Sequence, residues 1–220
     1  MTLTLPNLLT ILRLLCAPGI ALCFLLLPRP FADWWALILF IVASATDWFD
    51  GYLARNLNQV SKLGTMLDPI ADKAMVVIAL MVLAHVSSLA PLLILPAAAI
   101  LFREVFVSGL REFLGETAGL LKVTKLAKWK TTSQMVAIVV LLAQGIAEHQ
   151  LGTAIFGLES ESVDAILTGS QPDDLNLRLL MVLNDWTTWG GVALIWIAAA
   201  LTLITGADYF LKARPHLKDD

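Results

Sequence analysis

Along the 220-residue chain, long apolar runs alternate with short polar stretches. The runs fall at about residues 8–27, 34–53, 69–86, 91–113, 131–147 and 187–210. Most reach the roughly 17–25 residues that a helix needs to cross the hydrocarbon of a bilayer. The third and fourth merge, and "HVSSLAP" divides them: Ser87 and Ser88 make a turn, and Pro91 opens a new helix. The pattern predicts an all-α integral membrane protein with six transmembrane helices, forming a single membrane domain over residues 1–220.

The polar stretches are short with one exception, an acidic connection at about 148–186. Within it, "LNLRLLMVL" (175–183) is apolar enough to lie along a membrane surface and too short to span. Composition agrees with the pattern: 58% of residues are hydrophobic, 15% are charged, and the mean hydropathy is +0.79. A soluble domain carries about a quarter charged residues, so lipid must solvate part of this surface. Cys16 and Cys23 lie about 10 Å apart along one helix, too far for a disulfide, and are read as lipid-facing or packing residues. The N-terminus lacks a basic segment, so the first run is read as a span and not as a cleaved signal.

Charge sets the orientation. With both termini inside, the inner segments hold thirteen basic residues and the outer ones only Arg29 and Arg178. That asymmetry places both termini on the cytoplasmic side of the membrane, together with the connection between the second and third helices.

That connection and its flanks read "DWFDGYLARNLNQVSKLGTMLDPIADK" (47–73) and contain four aspartates. Asp47, Asp50, Gly51 and Ala54 share one helical face, and Asp68 and Asp72 share a face on the next helix. The two helices are antiparallel neighbours, so the carboxylates converge at their cytoplasmic ends. An aspartate at the bilayer centre costs roughly 2.5–3.5 kcal/mol, and four in one pocket repel one another. Lys73 and Arg55 are too few to neutralise them. Divalent cations are the economical answer, and an all-oxygen donor set without Cys or His suits Mg²⁺ or Mn²⁺. Two such ions are the usual device for holding phosphates. Bland readings stand beside this one. Asp68 before Pro69 has the form of a helix N-cap, and Gly51, Ala54 and Gly64 also suit close helix packing.

Cations gather on the same side. Arg103 and Arg111 on the fourth helix, and Lys125, Lys128 and Lys130 before the fifth, are candidates for an acceptor phosphate, since guanidinium forks match phosphate geometry. The lysines equally suit anchors to anionic lipid. Asn7, Thr10 and Arg13 recur every three residues on the first helix and form a polar stripe lining the cavity, unless Arg13 snorkels to the interface.

The spacing D-x-x-D-G-x-x-A-R, eight residues, then G-x-x-x-D-x-x-x-D resembles the signature of the CDP-alcohol phosphotransferases, met here by Asp47, Asp50, Gly51, Ala54, Arg55, Gly64, Asp68 and Asp72. "LPNLLTILRLLCAP", "REVFVSGLREF" (103–113) and "KTTSQM" (130–135) resemble the branch of that family that forms phosphatidylglycerophosphate. The resemblance implies transfer of the phosphatidyl group of CDP-diacylglycerol to sn-glycerol 3-phosphate with release of CMP. It implies metal ligation by Asp47, Asp50 and Asp68 with Asp72 contributing, and a CDP pocket of Asp47, Asp50, Gly51, Ala54, Arg55 and Gly64. It also implies Asp72 as the base, and a homodimer. Expected partners are the two substrates and membrane lipid, with no nucleic acid. Two alternatives remain: a relative using phosphatidylglycerol, serine or an inositol phosphate as acceptor, and a divalent-cation transporter.

Overall fold

The computed structural model describes the backbone of residues 5–56, 61–115, 117 and 126–217, and their side chains except those of 5–6, 47–56 and 126–128. Among these residues all regular structure is helical: α1 (Leu5–Leu26), α2 (Phe31–Asn56), α3 (Lys62–Val86), α4 (Ala90–Leu114), α5 (Leu126–Ile155), α6 (Ser160–Thr168) and α7 (Leu177–Ala213), followed by a 3-10 turn at Arg214–Leu217. Five stretches are long and apolar enough to cross a membrane: Asn7–Leu26, Lys62–Val86, Ala90–Leu114, Trp129–Ile155 and Leu177–Leu217. The second expected span falls in α2, whose described apolar run, Phe31–Thr46, is shorter.

The helices are apolar on both faces, as a bilayer allows and water does not. On α1, Cys16, Ala17, Ile20 and Cys23 turn inward while Leu8, Leu15, Leu22 and Leu25 are exposed. Both cysteines are thus packing residues, free and buried. The core joins Ile20, Phe40, Met75, Ile100, Leu141 and Ile195 from six helices. Small residues set the closest approaches. A Cβ at Gly191 on α7 would come within 2.7 Å of Leu141 on α5.

α1 packs against both α2 and α3, and α7 against both α4 and α5. Contacts advance together along two of these seams. Trp196 Nε1 reaches Leu92 O, Gly206 abuts Arg103, and Phe210 tilts against Phe106, so α4 and α7 run parallel. α1 and α3 are parallel by the same test, as the site below shows.

Helix ends differ from expectation at three places. α3 begins at Lys62 and not near residue 69, because Ser61 has extended backbone (φ −116°, ψ 150°) and its hydroxyl accepts from Gly64 N at 2.9 Å. Ser61 is therefore the N-cap. Asp68 is not, and Pro69 lies inside the helix. The connection expected at 148–186 shrinks from both sides: α5 continues to Ile155, and α7 starts at Leu177. Leu177–Leu183 of "LNLRLLMVL" accordingly form the first turns of α7 and not a separate surface segment. Its start is fixed by Asp173, whose carboxylate accepts from Leu177 N (2.6 Å) and Arg178 N (3.1 Å). Arg178 then donates to Ile166 O from Nε and Nη2, satisfying the end of α6, and Gly169 closes that helix at φ +88°.

Candidate functional site

The polar stripe of α1 meets the acidic stripe of α3 rung by rung. Ser61 Oγ donates to Asn7 Oδ1 at 2.6 Å, beside Gly64. Thr10 Oγ1 donates to Asp68 Oδ1 at 2.7 Å, and Arg13 Nη1 donates to Asp72 Oδ1 at 2.7 Å. Steps of three on α1 thus match steps of four on α3, the ridge pairing that lets two helices pack closely. Gly64 is required at the first rung: a Cβ there would lie 2.9 Å from Asn7 Oδ1 and 3.3 Å from Ser61 Oγ. Asn7, Thr10 and Arg13 are each 2% exposed. Arg13 therefore does not snorkel to the interface; it is buried in the helix seam.

The two carboxylates are held differently from their surroundings. Asp72 is 43% exposed although its partner Arg13 is 2% exposed, so the seam is sealed on the α1 side and open beyond Asp72. Lys73, one of the two cations in reach of the aspartates by sequence, donates to Ser108 Oγ on α4 at 2.6 Å. Among the described residues Arg13 pairs with Asp72, and the sequence placed it on the right face of α1 without naming its partner. Asp47, Asp50, Gly51, Ala54 and Arg55 occupy the last turns of α2, and their side chains lie outside the described residues. Among the described residues no group of three metal-ligating side chains is complete.

A second cluster is built by α4, α5 and α7. Glu104 Oε1 accepts from Lys130 Nζ and from Arg103 Nη1, the latter at 3.3 Å. Lys130 is 6% exposed. Arg103 crosses α7 at Gly206, where a Cβ would meet its Cγ at 2.8 Å. Arg111 stacks its guanidinium 5.2 Å from the centre of the Tyr209 ring, a cation–π contact. Glu104 thus draws Lys130 and Arg103 to one oxygen, and Arg111 lies two turns further along α4 against the same helix, α7. Two of the five expected acceptor cations, Arg103 and Lys130, thereby meet, and a third, Arg111, lies along the same seam. Lys125 and the side chain of Lys128 lie outside the described residues.

The two clusters adjoin. Ser108, which receives Lys73, donates to Glu104 O at 2.5 Å, one turn earlier on α4. The Lys73–Ser108 contact therefore brings α3, next to Asp72, against α4, one turn from Glu104. Gly206, Tyr209, Ser61 and Ser108 escape sequence reasoning, since isolated small or hydroxyl residues in an apolar helix carry no signal of their own. Glu104 was legible only as the neighbour of Arg103.

At the opposite end of the bundle, Arg29 Nε and Nη2 form a fork on Asp33 at 2.8 and 2.7 Å. That carboxylate hydrogen bond raises the Arg29 pKa, against the opposing effect of burial. The pair fits only because residue 145 is glycine: a Cβ there would lie 2.5 Å from Asp33 Oδ1. Beside it a cleft of about 440 Å³ is lined by Arg29, Glu148, His149, Gly152, Thr153 and Phe156.

Residues 3–168 match the family model described as CDP-alcohol phosphatidyltransferase. Over 217 residues, covering 99% of this chain and 98% of the relative, the sequence is 58% identical to a Cereibacter sphaeroides protein named CDP-diacylglycerol–glycerol-3-phosphate 3-phosphatidyltransferase. An Escherichia coli K12 protein of the same name is 34% identical over the full length of both chains. The aspartate spacing, the helical membrane architecture and likeness along the whole chain converge on one assignment: the chain belongs to the CDP-alcohol phosphatidyltransferase family.

Proposed function

We propose that the protein transfers the phosphatidyl group of CDP-diacylglycerol to sn-glycerol 3-phosphate, giving phosphatidylglycerophosphate and CMP. The observation that carries this reading is the junction of an acidic seam with a cationic cluster through Lys73 and Ser108. An anionic acceptor beside a pyrophosphate donor needs such an arrangement. The full-length likeness to enzymes named for this reaction supports the same acceptor.

The carboxylates fit a divalent metal centre. Asp68 and Asp72 present oxygen donors one helical turn apart on α3, and the seam they line with Asn7, Thr10 and Arg13 offers no thiolate or imidazole. This donor set favours Mg²⁺ or Mn²⁺. Asp47, Asp50, Asp68 and Asp72 would hold two ions, which supply charge neutralisation at the pyrophosphate when bound. Gly51, Ala54 and Gly64 leave room for the cytidine nucleotide to approach the backbone, with Arg55 at its edge.

The remaining work falls to the chain's own side chains. Arg103, Arg111 and Lys130, with Lys125 and Lys128, hold the acceptor phosphate. Asp72, oriented by Arg13, takes the proton of the glycerol C1 hydroxyl as its oxygen bonds to the phosphatidyl phosphorus. The bond from that phosphorus to the bridging oxygen breaks, and CMP leaves with the electron pair.

In this reading the chain is a single domain that spans a bacterial inner membrane six times, α2 included, with both termini and both clusters cytoplasmic. Thirteen basic residues on that side against two on the other support it. A homodimer rests on the family resemblance alone.

The deciding experiment is CMP release by purified protein in detergent from CDP-diacylglycerol and Mg²⁺. Glycerol 3-phosphate, phosphatidylglycerol, serine and inositol phosphate are compared as acceptors. Release with glycerol 3-phosphate alone is expected, abolished by chelation, restored by Mg²⁺ or Mn²⁺, and lost in Asp72→Asn. Release with another acceptor would reassign the branch. Absence of release with every acceptor from folded protein would favour cation transport instead.

A further inference from the structure

Glu104 occupies an unexpected position for a carboxylate. It receives Arg103 and Lys130, with Arg111 two turns further along α4, and a phosphate drawn to those cations is repelled by its charge. One of its oxygens explains part of its presence. Oε1 receives both Lys130 and Arg103, and so compensates an ammonium that is almost wholly buried. The other oxygen does not share that work. Among the described residues Oε2 accepts no hydrogen bond, and it is not sealed from solvent, in a side chain that is 16% exposed.

An accessible carboxylate oxygen beside phosphate-binding cations selects for a ligand that carries a hydrogen-bond donor close to its phosphate. A hydroxyl on the carbon next to the phosphate-bearing carbon meets that description. Of the two hydroxyls of glycerol 3-phosphate, that on C1 is consumed by the reaction, which leaves the one on C2. Three cations against one carboxylate still leave an excess of positive charge for the phosphate dianion, so affinity for the anion survives the repulsion.

We propose that Glu104 is a specificity-determining residue whose Oε2 accepts a hydrogen bond from the C2 hydroxyl of the acceptor. The acceptor class is then a polyol monophosphate with a hydroxyl vicinal to the phosphorylated carbon. The inference rests on the reading of this cluster as the acceptor site. A purely structural Glu104 would support Lys130 and Arg103 equally well whatever the acceptor carried at C2.

The test compares glycerol 3-phosphate with 3-hydroxypropyl phosphate, which keeps the attacking hydroxyl and lacks the C2 one. The readout is the ratio of kcat/KM for the two acceptors, which does not depend on how much of a variant is folded. The wild-type ratio is expected at about 10–100, the worth of a hydrogen bond to a charged group. In Glu104→Ala the ratio falls to about 1, whatever the overall loss. Glu104→Gln keeps a carbonyl oxygen for Lys130, and its ratio falls between the two, which decides the matter if the alanine variant does not fold. A wild-type ratio near 1, or an unchanged ratio in the variants, overturns the inference while the reaction itself stands. Failure of the wild type to use glycerol 3-phosphate at all overturns the reading of the site first.

Discussion

Arg13 and Asp72 meet across the seam of α1 and α3 at 2.7 Å, the guanidinium 2% exposed and the carboxylate 43%. The arginine is thus part of the buried framework, and the aspartate is its solvent-facing edge. If Asp72 is the base of the proposed reaction, the side chain that fixes its orientation sits 59 residues away from it in sequence.

Replacing Arg13 separates the two roles. Arg13→Gln is expected to lower kcat for CMP release by about 10- to 100-fold while changing the KM for either substrate little, because the loss is of orientation and not of binding. Its stability falls by about 1–2 kcal/mol, less than for a fully buried pair, since the freed Asp72 already reaches solvent. Steady-state kinetics and thermal unfolding in the same detergent check both.

Gly64→Ala inserts a methyl against Asn7 Oδ1 and Ser61 Oγ. The N-cap of α3 and the first rung of the seam share that hydroxyl, so both loosen. A loss of about 1 kcal/mol in thermal unfolding is expected. Ser61→Ala should reproduce much of it, and a variant as stable as wild type would show that the rung gives way without consequence.

At Gly206 the expected effect is on the acceptor alone. A Cβ there pushes against the Arg103 Cγ at 2.8 Å and displaces the guanidinium. The KM for glycerol 3-phosphate in Gly206→Ala should rise about 10-fold, the KM for CDP-diacylglycerol staying put. Equal shifts in both would mean that α7 moves as a body.

The ion pair at the other end gives an asymmetric prediction. Asp33 is 3% exposed in its side chain and Arg29 35%, so the two truncations differ. Arg29→Leu strands a buried carboxylate and is expected to cost about 3 kcal/mol. Asp33→Leu leaves an arginine that can turn to water, at about 1 kcal/mol. Thermal unfolding ranks them, and CMP release per folded molecule should be unchanged in both.

Much of this molecule was legible in the chain because the informative features are local. Apolar runs of spanning length appear as α1, α3, α4, α5 and α7, since in a bilayer each helix must satisfy its own backbone whatever its neighbours do. The aspartate spacing identified the family without any coordinates. Helix ends were read less well. Ser61 outcompeted Asp68 as the cap of α3, and Asp173 started α7 inside what hydropathy read as a surface segment.

What only the tertiary structure decided is which faces turn inward and what they meet. In a soluble protein polarity marks the buried face, but here lipid and core are equally apolar, so Leu15 and Ile20 look alike in sequence although one is exposed and the other buried. The same degeneracy hides pairings between helices. Nothing local joins Arg13 to Asp72, Gly206 to Arg103 or Lys130 to Glu104, because each depends on the register of one helix against another. Spans and motif follow from the chain's own solvation and spacing, whereas the site's partners follow from packing between elements far apart along it.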